Sequence, residues 1–583
     1  MSGGEPWLDE AYFLGPKSEN AAWVRAEFQA ILDHWFDWRR SLFQDDPSPI
    51  SAEMRLSAPF LAERERFAQA TRELREMLCS EVPKYTPRYI GHMVSETSLP
   101  ALLGHFATLL HNPNNTSREV ARVSGKIEDE AIAMLAEMVG FDPLHAQGHF
   151  TSGGTIANFE GVWRARYRLD HFLALGLAVS EKTGERFDPV AAAHMGWDAY
   201  HERVAEHAMT DGELRGASGV LTNPHEHAER VRAASGRAWR GPVLIVPGNK
   251  HFSWLKAANV FGLGEEAFWS VALDGEGRLD PTSLAAVIAR AHGEGRPVLA
   301  VVSVAGTTEA GEIDPVDAVC DQLDALRTRG LDIWHHVDAA WGGFFCSMLG
   351  GPAEAVLQPA QRDALGAIGR ADSVTLDPHK LGYVPYACGA FLVADEARYA
   401  TSGFPAPYID LALSNDRWMV TLEGSRSGAG PSAVWLTGKT MSFTPDRFGA
   451  MLAATIESAR AFSQTLQASA PMARLLQPAD TNIVCFSLAH KGEALSASNA
   501  RTARAHAGFK ADPAFSVSKT VLSTQGYGRL IDAHLDRYGG VRDCETLVLL
   551  RCVFMNPFWR HEAVRAALMP QFLERLQAHT AEG

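Results

Sequence analysis

Apolar positions along the 583 residues change their spacing twice. Between 20 and 43 they recur at helical intervals, with Trp23, Phe28, Ile31, Trp35 and Trp38 on one stripe, and 53–80 continues the pattern. The first hundred residues therefore predict a helical arm. From about 145, short apolar strands alternate with helices: GHFTS leads into GTIANFEGVWRARYRL, VLIVPG into HFSWLKAANVFG, and PVLAVVSVAG into PVDAVCDQLDALRTRG. Such alternation predicts stacked βαβ units, and DIWHHVDAA, DSVTLDP and CGAFLVAD add three more strands. Residues 171–240 break the rhythm with HMGWDAYHERVAEHAM and NPHEHAERVRAA. They read as an insertion whose histidines sit on a polar helical surface. After 440 come a long helix, the strands NIVCFSL and ETLVLLRCVFM, and a terminal helix. The expected organisation is a helical segment over 1–115, a large α/β domain over 116–440 and a small α/β domain over 441–583. The sheet is expected to be mixed or mostly parallel and flanked by helices.

Composition sharpens this picture by exclusion. With 46% hydrophobic and 21% charged residues the chain can bury a large core. A formal charge of −15 disfavours nucleic acid as a partner. No apolar run approaches the ~20 residues a membrane span needs, and the acidic start MSGGEPWLDE lacks an export signal. Seven cysteines without paired spacing read as reduced thiols in a cytoplasmic protein. The histidines of 194–207 do not converge on a metal-ligand set, so no metal is expected.

Four groups at the ends of expected strands carry chemistry. Asp338 in HHVDAAWGG and Lys380 in DPHKLGY fall at one sheet edge if their strands are parallel, the place where open α/β sheets bind ligands. A lysine amine and a carboxylate converging there suit pyridoxal phosphate: the amine forms a Schiff base and the carboxylate keeps the pyridine nitrogen protonated. Taken singly, Lys380 reads as a solvated turn residue and Asp338 as a helix cap. Thr151-Ser152-Gly153-Gly154-Thr155 joins a strand to a helix, where free N–H groups attract phosphate; a tight turn uses the same residues. His251 follows VLIVPG and could stack on a cofactor ring or simply cap a helix. Gly306-Thr307-Thr308 could orient ring substituents or form a plain turn.

Taken in order, TSGGTIAN, KHFSWLKAA, VAGTTEAGEIDP, HVDAAWGG, DPHKLGY, GSRSG and LRCVFMNP resemble the group II pyridoxal-phosphate-dependent amino acid decarboxylases over roughly residues 85–560. Within that family RYIGHMVSETSLPALLGHFATLLHNPNN, DPHKLGYVPY and LEGSRSGAGPSAVW look most like the bacterial tyrosine decarboxylases. The resemblance implies a fold-type I enzyme with a seven-stranded-type sheet. It implies Lys380 as the Schiff-base lysine, Asp338 on the pyridine nitrogen, His251 on the ring, and Gly154, Thr155 and His379 at the phosphate. Ala340 would pack beneath the ring and Thr308 beside it. Tyr408, in TSGFPAPYIDLALSNDRW, would belong to a loop closing over the site, and either it or His251 would return a proton to the product carbon. His92 and Tyr386 would line the substrate side. The implied reaction is decarboxylation of an L-amino acid, tyrosine first, by a homodimer with shared active sites. A carbon–carbon lyase, an aminotransferase and a decarboxylation-coupled oxidase are rivals on the same fold; an inactive scaffold is disfavoured by the intact Lys380, Asp338 and His251.

Overall fold

The computed structural model describes residues 9–402, 417–477 and 479–581. Among the described residues eleven strands form two sheets. The larger takes β1 (Gln147–Thr151), β2 (Val243–Pro247), β3 (Phe268–Val271), β4 (Val298–Val304), β5 (His335–Asp338), β6 (Ser373–Leu376) and β7 (Gly389–Val393). Their order is β1-β7-β6-β5-β4-β2-β3. The pairs β6/β5, β5/β4, β4/β2 and β2/β3 are parallel. Strand β7 runs against both neighbours, which leaves β1 pointing the same way as the parallel set. Strands β2, β4, β5 and β6 are buried at every position, as strands of a parallel sheet are when helices cover both faces; β2 and β4 are largely apolar throughout, while β5 and β6 bury polar side chains as well.

A second, antiparallel sheet has the order β10-β11-β9-β8, with β8 at Ala473–Leu475, β9 at Ile483–Leu488, β10 at Ser518–Ser523 and β11 at Thr546–Val553. The two faces of β11 divide its work. Leu547, Leu549 and Val553 join the core that includes Val337 and Leu376 of the large sheet, while Leu550 and Cys552 pack with Phe462 and Phe572 of flanking helices. The short strands β3, β8 and β10 had no distinct sequence signal.

Two features differ from the sequence reading. The helix Gly154–Thr183 runs unbroken into the 171–240 stretch, and Phe172, Leu175 and Val179 build an apolar cluster there with Tyr200 and Val231. The histidines of that stretch are not all on a polar surface, because His194 and His227 are buried. His194 Nε2 accepts the Val298 N–H at 3.0 Å while Nδ1 lies 3.2 Å from the Asp332 carbonyl, so it ties the stretch to the start of β4. Burial holds its pKa down at about 4. At the N-terminus the expected helices form at Ala21–Ser41 and Ala58–Leu78, and neither contains a buried residue. No helix among the described residues is long and apolar enough to cross a membrane.

Candidate active site

Because β1, β2, β4, β5 and β6 point one way, their C-terminal ends deliver Thr151–Gly154, Pro247–His251, Val304–Thr308, Asp338 and Leu376–Lys380 to a single edge. A cavity of about 310 Å³ opens there, lined by Gly154, Thr155, His251, Thr308, Asp338, Ala340, His379 and Lys380 among others. That volume is at the lower end of small-molecule sites, roughly 300–1,000 Å³. All eight of these residues were candidates from the sequence.

Asp338 closes β5 and is buried. Its Oδ2 accepts hydrogen bonds from Asn158 Nδ2 at 2.8 Å and Trp254 Nε1 at 3.1 Å. Asn158 is itself tied to Ser253 Oγ at 2.9 Å and to His336 Nε2 at 3.2 Å. The carboxylate is thus fixed by the helix after β1 and the helix after β2, and its Oδ1 receives only a 3.4 Å contact from the Ala340 N–H. That oxygen is free for a cation or a protonated ring nitrogen. His251 Nδ1 accepts the Ser253 N–H at 3.2 Å and meets Ser253 Oγ at 3.0 Å, which leaves Nε2 as the free ring nitrogen. Desolvation lowers its pKa below the ordinary value, with Asp338 opposing, so the ring is neutral at pH 7.

Lys380 Nζ lies 3.0 Å from Asp377 Oδ2, and His379 Nε2 lies 3.6 Å from the same oxygen. Asp377 Oδ1 is buried without a partner. The turn is braced by the Cys388 N–H, which donates to His379 Nδ1 at 3.1 Å. Tyr386 covers His379 with ring centroids 4.1 Å apart.

The helix beginning at Gly154 aims its N-terminus at this cavity. Gly153 adopts φ +155°, which favours glycine, and a Cβ on Gly154 would stand 2.8 Å from Asp377 Oδ2. Close approach of the β1 turn to Asp377 therefore needs hydrogen at that position. The amides of Gly154 and Thr155 precede the first intrahelical donors, Ile156 and Ala157, and face outward for an anion. The Ser152 N–H instead donates to Glu423 Oε2 at 3.0 Å.

Two candidates stand apart from the cavity lining, His92 and Tyr386. His92 lies between Tyr89 and Met93 on a segment bonded to Ser516 and Ser518, and desolvation first, then Arg551, lowers its pKa. Tyr408 lies outside the described residues. Sequence reasoning missed Asn158, Trp254 and Asp377 as parts of the site. Their signal was spacing: Asn158 falls one turn after Gly154, Trp254 three residues after His251, and Asp377 three before Lys380. It also missed what GSRSG does. Arg426 pairs with Glu128 and donates to the carbonyls of Asn115 at 2.6 Å and Phe150 at 3.3 Å, bracing the end of β1.

Residues 222–489 match the family model described as the pyridoxal-dependent decarboxylase conserved domain. The chain is 29% identical over 493 residues to the L-tyrosine decarboxylase of Enterococcus faecium, covering 79% of this chain and 77% of that one. It is 28% identical over 490 residues to the Levilactobacillus brevis L-tyrosine decarboxylase, covering 78% and 75%. Among solved structures, the fold matches the glutamate decarboxylase domain of a Vibrio parahaemolyticus diaminobutyrate-pyruvate transaminase and L-2,4-diaminobutyrate decarboxylase with a TM-score of 0.62, at 19% identity over 96% of both chains. It also matches Catharanthus roseus tryptophan decarboxylase with a TM-score of 0.61, at 15% identity over 95% and 98%. The sheet, the order of its motifs and these likenesses agree: the chain is a pyridoxal-phosphate-dependent amino acid decarboxylase that resembles the group II family, with bacterial L-tyrosine decarboxylases among its relatives.

Proposed function

We propose that the cavity at the sheet edge binds pyridoxal 5'-phosphate through Lys380 and removes the carboxyl group of an aromatic L-amino acid, tyrosine first. The observation that carries the reading is the convergence of Lys380, Asp338, His251 and an open helix N-terminus around one cavity. The cradle fits the cofactor: Asp338 Oδ1 is free where a ring nitrogen needs an acceptor, and the Gly154 and Thr155 amides offer donors to a phosphate. When bound, the cofactor draws into its ring the electron pair released as carbon dioxide leaves.

The chain's own groups do the rest. Lys380 would hold the cofactor through its amine, and the Asp377 carboxylate 3.0 Å away would position that amine. Asp338, oriented by Asn158 and Trp254, meets positive charge on the ring without having to reorganise. His251, neutral and with Nε2 free, presents a flat face to the ring and a nitrogen to hold or move a proton; Tyr408 is the second candidate for that transfer. His379, with Gly154 and Thr155, would hold the phosphate, Ala340 and Thr308 would flank the ring, and His92 and Tyr386 would border the substrate's approach.

Tyrosine is supported by the likeness to L-tyrosine decarboxylases over three quarters of the chain. A homodimer is supported by the N-terminal helices, whose Trp23, Phe36, Phe67, Leu74 and Met77 are exposed. A cytosolic location fits the seven cysteines, which form no disulfide. Mass spectrometry of products, with each amino acid offered separately to cofactor-loaded protein, tests the reaction and the substrate together. Tyramine from tyrosine is the expected result. A keto acid or an aldehyde product would overturn decarboxylation, and turnover of an aliphatic amino acid alone would overturn the aromatic assignment.

A further inference from the structure

An arginine-lined cleft lies apart from the cofactor cavity. A cleft of about 870 Å³ lies where the helix Phe448–Ser469, the edge strand β8 and the turn at 274–278 meet. Four guanidinium groups line it: Arg278, Arg460, Arg474 and Arg537. Its two carboxylates, Glu276 and Asp480, are both engaged by Arg278. Among the described residues the other three arginines have no carboxylate partner: Arg460 makes no ion pair or hydrogen bond, Arg474 donates to the Ala489 carbonyl at 3.1 Å, and Arg537 donates to the Leu476 carbonyl. Four guanidiniums against two carboxylates leave an excess of two positive charges around one concavity, against the sign of a chain whose net charge is −15. The helix contributes a polar stripe there, with Arg460, Gln464 and Gln467 at i, i+4 and i+7, although its opposite face is core. Gln477, also lining the cleft, has a buried Oε1 that receives no donor.

We propose that this cleft is a second ligand site, for a small hydroxylated polyanion carrying two or more phosphate or carboxylate groups. Guanidinium forks match either anion, and a ligand hydroxyl supplies the donor that Gln477 lacks. Hydrogen bonds connect the cleft to the cofactor cavity, although the two share no lining residue. Asp480 accepts from Arg278 Nη2 at 2.7 Å, Arg278 Nε at 2.9 Å, Gln361 Nε2 at 2.8 Å and the Ile313 N–H at 3.1 Å. Ile313 bridges to Ala305, next to Gly306, and Gly306 and Thr308 line the cofactor cavity. A second route runs from the Gly277 carbonyl to Asn249 Nδ2 at 2.9 Å, and Asn249 lines the same cavity. A ligand that recruits Arg278 acts on both, so occupancy of the cleft changes the rate of cofactor release.

Calorimetric titration of cofactor-saturated protein with citrate and, separately, with fructose 1,6-bisphosphate tests the site. The expected result is one site per chain, weakened by salt and about tenfold weaker or more in Arg460→Glu/Arg474→Glu, but unchanged in Arg232→Glu/Arg329→Glu, where the same charge is reversed elsewhere. Binding of only one probe identifies the anion chemistry. Should the double variant fail to fold, Gln464→Glu places a carboxylate on the exposed stripe of the same cleft and is expected to weaken both ligands. No heat with either probe, or binding indifferent to both cleft variants, overturns the site. Cofactor release measured with and without the bound probe is expected to differ severalfold; equal rates overturn the coupling.

Discussion

The edge of the large sheet and the N-terminal helices are both plain in the hydrophobic pattern, yet they end in opposite conditions. At the sheet edge a single carboxylate, Asp338, is held by partners 180 and 84 residues away in the chain. In the helices Ala21–Ser41 and Ala58–Leu78 the apolar stripe exists and almost nothing covers it: Phe28 meets Phe106 and Trp38 meets His111, while Phe67 is 76% exposed and Met77 67%. Periodicity announces an element. Whether its apolar face is buried depends on what the rest of the chain, or another chain, brings to it.

The largest expected effect comes from loosening the held end. Asp338→Ala should lower turnover by about 10³-fold, since the group acts on charge present in the transition state. Asn158→Ala, which leaves Asp338 in place but removes its 2.8 Å donor, should cost about tenfold in turnover. A positioning role also predicts a shifted pH profile and an altered visible absorbance of bound cofactor in Asn158→Ala, with partial recovery in Asn158→Gln. An Asn158→Ala protein with unchanged turnover, pH profile and absorbance would show that Trp254 alone suffices to orient the carboxylate.

The unheld end should break in a different measurement. If the N-terminal helices pair with a second copy, Phe67→Glu/Leu74→Glu places four charges in that face per dimer. Self-association, followed by sedimentation, should weaken by about a hundredfold or more, because each lost apolar burial is worth roughly 1.5–3 kcal/mol. Chain folding should survive, since neither side chain is buried in the chain itself. An unchanged dimer would assign these helices to another partner and remove the contrast between the two regions.

The contrast also explains what was legible. Lys380, Asp338, His251 and Gly154 could be read because they fall at or just after the C-terminal ends of expected strands, and parallel strands bring those ends together whatever the intervening chain. Asn158, Trp254 and Asp377 could not, because a donor to a buried carboxylate needs a direction, and sequence gives only a spacing. Strands β3, β8 and β10 were missed because partners stabilise them: β8 is three residues long and has β9 as its one neighbour. The buried His194 looked like part of a polar surface because its partners, the Val298 amide and the Asp332 carbonyl, are backbone atoms over a hundred residues away.

The smallest effect refines the comparison from inside the core, where one group is held incompletely. Glu312 is buried and accepts the Thr307 hydroxyl, but its Oε1 has no partner. Burial, only partly offset by that hydrogen bond, raises its pKa from 4.5 to about 8, and the neighbouring Asp480 and Glu309 carboxylates add to the rise. Below about pH 4.5 the folded and unfolded chains both carry the proton, and the group costs nothing. Between 4.5 and 8 the unfolded chain releases it while the folded protein keeps it, so stability falls as pH rises through that window and levels off above it. Glu312→Gln removes this slope while keeping the volume and an acceptor for Thr307. Its thermal midpoint should match the parent near pH 4.5 and exceed it increasingly toward pH 8, by about 1–3 kcal/mol in stability. A gain independent of pH would mean that packing, not protonation, separates the two side chains. A loss at pH 8 would mean that an ionised Glu312 is a held group after all, with Thr307 and the Gly306–Gly311 loop supplying the donors.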